Sequence, residues 1–371
     1  MEKRIKFKGV YLSLVVAGLL ATFTMLVSCS NEEDIDQAGF DRSAMLSEYA
    51  TNLIIPNFQE LQASVDELNK AVVAFSESQN MTNMEAMQTR WAEAVRDFQH
   101  CSAFGFGPGS LPLGSFATVI GVFPVDETQV EMNIQDPEFN LAATFDRDVR
   151  GFYTVEYLIY GENRSKEEIV NAFDANRIAY LLTIMGEIKT TVDDIVSEWE
   201  GSYFEEFTTN DGTSAGSPVS LMYNEFVKDY ENLKNFKVEL PAGLTAGQAS
   251  PNPRLVEAYY SGISSDLIRE HFESSKNIWY GQSRGGEDFT GFEEYLASAV
   301  GGPELIETTK AKITEIDAAI AAIPSGELSD HVGSTEVQTL RDQLQSNTAN
   351  FKSSMSSLLG ISITFNSGDG D

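Results

Sequence analysis

Long stretches of this sequence place apolar residues every three or four positions, and runs that alternate apolar with polar are scarce. That spacing matches the 3.6-residue turn of an α-helix, so a chain patterned this way almost throughout has little material for a sheet. SAMLSEYATNLIIPNFQELQASVDELNKAVVAFSES (43–78) reads as one long amphipathic helix disturbed at Pro56, whose ring removes an amide donor and crowds the preceding turn. NMEAMQTRWAEAVRDFQHCSAF (83–104) reads as a second, until GFGPGSLPLGS breaks the pattern with glycine and proline. Helix is expected again over about 137–161, and then over 165–201, where Ser165 with acids three residues on makes a capping-box start. LMYNEFVKDYENLKNF (221–236) is helical between two loops, and further helices fall near 264–280, 288–299, 303–323 and 334–358. The expectation is an all-α protein of two helical bundle subdomains. RDFQHCSAFGFG and REHFESSKNIWYG both end a helix in aromatic-glycine, and GFYTVEYL and GFEEYL follow them, so an internal duplication with approximate halves 43–210 and 211–371 is in view.

The first thirty residues are different in kind. Lys3, Arg4, Lys6 and Lys8 precede an apolar run that ends in Leu26-Val27-Ser28-Cys29, which marks 1–28 as a secretory signal rather than a fold element. A small residue followed by Cys resembles the lipobox of bacterial lipoproteins, with Cys29 as the lipidated first residue of the mature chain. The alternative is an uncleaved anchor helix. Residues 29–42, opening SNEEDID after the Cys, form an acidic tether, and 43–371 is the helical domain. Ser30 in place of Asp does not suggest inner-membrane retention, so the expectation is a bacterial outer-membrane lipoprotein facing either the periplasm or the cell surface.

The chain carries 25 Lys+Arg against 56 Asp+Glu, a net charge of −31; without the four leader cations and Glu2 the balance is about −34. Nucleic-acid binding needs clustered cations that displace counterions, so nucleic acid is not an expected partner. Such a surface suits cationic ligands or metal ions, and equally a well-solvated envelope protein. Beyond Cys29 the one remaining cysteine is Cys101, so stability must come from core burial, for which 42% hydrophobic composition suffices.

Several motifs carry little. Gly281-Gln282-Ser283-Arg284-Gly285 fits G-x-S-x-G, but a helix precedes it where a nucleophile elbow needs a strand, and His331 is the one later histidine. His100, His271 and His331 lie in separate regions, and none opens the H-E-x-x-H of a zinc protease. Gly105, Gly107 and Gly109 have no lysine close by to complete a phosphate cradle.

DVRGFYTVEYLIYG (148–161) is more informative. Tyr153 and Glu156 lie three apart on one helix face, and Arg150 lies three before Tyr153. The three could form a buried polar network, which persists only if every member is satisfied. Equally, Tyr153, Tyr157 and Tyr160 could be packing residues and Glu156 a solvated charge.

This stretch resembles the signature of the imelysin-like family, a G-x-H-x-x-E motif in which Gly151 and Glu156 match the first and last positions. RWAEAVRDFQHCSAFGFGP resembles the family's tryptophan-led helix ending in FxFGP, SSDLIREHFESSKNIWYG its second-half helix, and LGISITFNSGDGD its usual ending. The resemblance runs in order from about residue 45 to 371. It implies two helical bundles with the signature near their junction, in exported or lipid-anchored envelope proteins, many linked to iron acquisition. The family also bears a metallopeptidase name. Two departures stand out: the motif's histidine is Tyr153, and a glutamate often found before the FxFGP aromatics corresponds to Ser102. A neutral phenol is a poor ligand for a divalent metal. The resemblance therefore implies a non-catalytic binding component of iron or haem acquisition, with Arg150, Gly151, Tyr153, Glu156 and Ser102 at its site and iron or another divalent metal meeting Glu156 and Tyr153. Its partners would be the membrane, through Cys29, and other envelope iron-uptake proteins. The alternatives are a metallopeptidase and a scaffold without a small ligand.

Overall fold

Three long helices form the frame on which the signature helix rests. The computed structural model describes residues 39–136, 138–162, 164–324 and 326–365; the signal, Cys29 and most of the tether lie outside them. α1 (Arg42–Tyr49) runs through a π-helical turn (Ala50–Ile54) into α2 (Ile55–Glu77). The expected disturbance at Pro56 takes the form of that π-turn, which lets the helix continue past the missing amide. α2 buries Phe58, Leu61, Val65, Leu68, Val72 and Phe75, one stripe at alternating spacings of three and four. Against it pack α3 (Met81–Gln99) and α8 (Ala175–Glu200).

Between α3 and α8 the chain makes a two-strand hairpin, β1 (Ser110–Leu111) and β2 (Gly114–Ser115), then α4 (Phe116–Ile120), α5 (Glu127–Gln135), α6 (Gly151–Tyr160) and α7 (Lys166–Asn171). α6 carries the signature and packs on α3 and α8. Two expectations need correction here. Residues 137–161 are not one helix: apart from a short turn at Leu141–Ala143, helix begins only at Gly151. The carbonyls of Leu141, Thr144 and Asp146 accept from the Arg150 guanidinium. Nor is 165–201 continuous. Ser165 and Glu168 do form the capping box, but Asp174 accepts from the amide of Arg177 and caps a new helix, α8.

The rest of the chain is helical as well: α9 (Tyr203–Thr209), α10 (Pro218–Asn232) extended by a π-helical segment (Leu233–Glu239), α11 (Ser264–Tyr280), α12 (Phe292–Ala297), α13 (Gly302–Ala321), α14 (Thr335–Ala349), a π-helical segment (Asn350–Met355) and α15 (Ser356–Leu358). α11 packs on α3, and Tyr49 donates to the carbonyl of Ile278 at 2.5 Å while accepting from the amide of Phe292 at 2.8 Å. The described residues from Phe40 onward make one compact unit through such contacts. Among the described residues, no helix is long and apolar enough to cross a membrane.

Candidate functional site

Gly151 sets the position of α6. Its φ of +77° is open to glycine, and a Cβ there would lie 2.2 Å from the carbonyl oxygen of Ile120. The helix is thus laid directly against the end of α4, with Trp91 donating to the carbonyl of Phe152 at 2.8 Å from the α3 side. Nine of its ten residues are buried, Glu156 among them at 1% exposure.

Glu156 and Tyr153 face a strap formed by residues 256–262, which connects the middle of the chain to α11. The amide of Ser261 donates to Glu156 Oε1 at 2.7 Å. Burial, partly offset by the Ser261 hydroxyl and amide, pushes the Glu156 carboxyl up to about 8, so at neutral pH it holds its proton. The Tyr153 hydroxyl donates to Glu257 Oε1, and burial together with the Glu257 charge raises this phenol well above its ordinary range. Gln99, at the end of α3, donates to Glu257 Oε1 at 3.2 Å and reaches the Tyr153 oxygen at 3.5 Å. Lys237, carried inward by the π-helical segment after α10, donates to Gln99 Oε1 and stands 3.0 Å from Glu257 Oε2. The strap itself has a strained backbone at Ala258, φ +52°.

The other expected residues go elsewhere. Arg150 does not join Tyr153 and Glu156: its guanidinium pairs with Glu187 at 2.6 Å and with three loop carbonyls, and Glu187 lines a groove of about 660 Å³ beside α8 and Pro108. Arg150 is the residue before the helix, at an extended φ of −138°, which turns its side chain off the α6 stripe. Ser102 belongs to a third cluster, donating to Asp229 Oδ2 at 3.0 Å, where His271 Nε2 also approaches at 2.8 Å. Tyr157 donates to Glu131 and Tyr160 to the carbonyl of Gln88, so both outer tyrosines anchor the helix flanks. On the outer side of the junction, Tyr157, Gly161, Glu127, Glu162, Arg164 and Arg177 line a cavity of about 120 Å³. Arg254 closes over that side, paired with Glu127 and Glu162.

Sequence reasoning missed Gln99, Lys237, Glu257 and Ser261. Gln99 directly precedes His100-Cys101-Ser102 in a stretch already marked by its aromatics, so a signal existed there. Lys237 and Glu257 lie more than a hundred residues from Gln99, and Glu257 more than a hundred from Tyr153, and neither carries a local pattern. Of the weaker motifs, G-x-S-x-G is a helix terminator, with Gly281 in the left-handed conformation that ends α11. His100 pairs with Glu270 at 2.8 Å and His271 with Asp229, so the two buried imidazoles occupy separate sites.

The residues at the junction do not fit a bare divalent cation. Glu156 is protonated, Tyr153 is a neutral phenol and Glu257 already faces an ammonium. Among the described residues, no group of three or more His, Cys, Asp and Glu side chains is arranged to hold a metal ion.

The imelysin family model, which also carries a peptidase name, matches residues 54–354. A crystal structure of a candidate iron-regulated protein A precursor from Parabacteroides distasonis superposes with a TM-score of 0.71 at 18% identity, covering 86% of this chain and 95% of that one. A crystal structure of an imelysin-like protein from Psychrobacter arcticum gives 0.68 at 17% identity, covering 88% and 97%. At these identities the likeness shows the fold alone. No curated protein matches the sequence.

Proposed function

The chain belongs to the imelysin family, and from that premise we propose that it is a non-catalytic binding component of the bacterial cell envelope, serving iron or haem acquisition through the junction of α6 with the 256–262 strap. The observation that carries the reading is how the signature side chains are used. The Glu156 carboxyl accepts from the strap and the Tyr153 hydroxyl donates to it. A hydrolytic site needs a water-activating metal with an open position and a free base, and neither side chain is free for that work. The iron-regulated description of the Parabacteroides distasonis protein supports the link to iron. The leader ending in Leu26-Val27-Ser28-Cys29 supports a lipid anchor at Cys29 in the outer membrane.

On this reading the ligand is an iron complex or a partner protein that engages the outer face of the junction, where Arg254, Tyr259 and Tyr260 meet Glu127 and Glu162. Calorimetry with Fe(II), ferric citrate and haem on the purified protein, on Arg254→Ala and on Glu156→Ala tests it. Binding of one of these, weakened at least tenfold by either substitution, is expected. If none binds, or if the substitutions leave affinity unchanged, the junction is not the site.

One observation favours a second reading. Both signature contacts cross to the strap, so the motif can serve to lock the parts of the molecule together. In a pure scaffold, Glu156→Ala lowers the melting temperature and alters no affinity.

A further inference from the structure

The groove of about 660 Å³ beside α8 has a built shape, and neither Tyr153, Glu156 nor the strap lines it. It runs between α8 and the segments 107–112 and 139–142. Arg150 ties its walls together: the guanidinium, 2% exposed, donates to the carbonyl of Leu141 on one side and to Glu187 on the other. Gly186 faces the groove from the middle of the 26-residue α8. Glycine there disfavours the helix relative to alanine, yet its φ is not in the left-handed region and a Cβ would meet no atom within 4 Å. Neither backbone conformation nor packing within the chain calls for a glycine, and its effect is to leave the helix backbone open on the groove side.

The charges on the groove are of one sign. Glu187, Asp194 and Glu198 line it, and no described lysine or arginine does. Steps of seven and four residues keep the three acids on one face of α8, about 10 Å and then about 6 Å apart along the axis. Glu187 Oε2 is buried without a hydrogen-bond partner, since Arg150 takes Oε1, and such an orphaned oxygen calls for a missing partner. Asp194 and Glu198 form no ion pair among the described residues, whereas the adjacent Asp193 pairs with Lys189. Leu111 and Phe139 in the facing segments, and Ile195 beside Asp194, are apolar. We infer that the groove binds a linear polyamine. Its ammonium groups meet Glu187, Asp194 and Glu198, and its methylene chain lies along Gly186 and the apolar wall, which matches charge to charge and apolar to apolar surface. The same acids repel the carboxylates of citrate and haem, so this site is independent of the function proposed above.

The test is calorimetry with spermidine at pH 7 and low salt on the wild-type protein and three variants. Asp194→Asn/Glu198→Gln removes two groove acids, Gly186→Leu fills the groove, and Glu304→Gln/Glu307→Gln removes two acids from α13, which does not line it. The wild type is expected to bind one equivalent of spermidine, the first two variants at least tenfold more weakly, and the α13 variant as tightly as the wild type. Gly186→Leu is expected to melt no lower than the wild type, because leucine favours helix and its side chain enters open space. Its lost affinity then reports a filled groove rather than a damaged fold. The inference is overturned if spermidine does not bind, if the α13 variant loses as much affinity as the groove variant, or if a lysine-rich peptide binds and spermidine does not. It is overturned too if folded Gly186→Leu keeps wild-type affinity, or if its melting temperature falls well below that of the wild type, which would show that the glycine serves packing.

Discussion

The Glu156 carboxyl is the residue whose chemistry can be read most directly in solution. Its folded value of about 8 lies above the ordinary carboxyl range near 4.5 because burial disfavours the charge. Below about pH 4.5 both folded and unfolded chains hold this proton. Between about 4.5 and 8 only the folded chain holds it, so stability falls as pH rises through that window and levels off above it, by an upper bound of roughly 5 kcal/mol. Glu156→Gln, which keeps the acceptor oxygen for Ser261, is expected to flatten this part of the profile and to be the more stable protein at pH 9. Chemical denaturation at pH 5, 7 and 9 measures it, and parallel profiles for the two proteins would contradict the burial argument. The sequence already marked Glu156 as out of place among tyrosines, since an acid on an apolar helix must be either solvated or paired. It could not decide between the two, because both Ser261 and Glu257 come from a segment about a hundred residues later and reach Glu156 and Tyr153 only through the tertiary fold.

At the scale of elements, periodicity located the long helices well because each buries one continuous stripe, as α2 does from Phe58 to Phe75. It failed over 138–150, ahead of the helix that does form at Gly151–Tyr160, because there the polar demand of one side chain outweighs helix propensity. The Arg150 guanidinium is 2% exposed with its Glu187 partner at 2.6 Å, and it organises the loop by taking the carbonyls of Leu141, Thr144 and Asp146. Arg150→Ala is therefore expected to cost about 3 kcal/mol, since it leaves three carbonyls and a largely buried carboxylate without their cation. Limited proteolysis should then cut between 138 and 149 first. Because Arg150 is separate from Glu156, the pH dependence of stability should keep its shape in this variant; a changed shape would mean that the two clusters are coupled. Gly151→Ala acts on the same helix by another route. A Cβ at φ +77° would be strained and would collide with the Ile120 carbonyl, which is backbone and cannot step aside. A loss of at least about 2 kcal/mol is expected by denaturation, and a loss below 0.5 kcal/mol would show that α6 can shift away from α4.

For the whole molecule, charge is the dominant feature that the sequence shows and that no single contact explains. If every one of the 25 cations neutralised one acid, 31 negative charges would still remain. The structure does pair many cations, as in Lys189 with Asp66 and Asp193 or Arg284 with Glu60 and Asp97, yet these pairs are partly exposed to solvent and contribute little each. Added salt weakens both the pairs and the repulsion among the surplus acids. The repulsion acts over longer distances, and raising ionic strength from 0.01 to 0.15 M shortens the screening length from about 30 Å to about 8 Å. A pair in contact is still felt at 8 Å, whereas acids spread over a surface of 18473 Å² mostly are not. The net effect should be stabilising, because the compact state crowds like charges that the unfolded chain can separate. The melting temperature is accordingly expected to rise on going from 10 to 150 mM sodium chloride, and potassium chloride should act in the same way, as a screening effect does not distinguish the cation. A fall with salt would show that the ion pairs outweigh the excess charge. A rise with one cation and not the other would point to a specific site rather than a diffuse field.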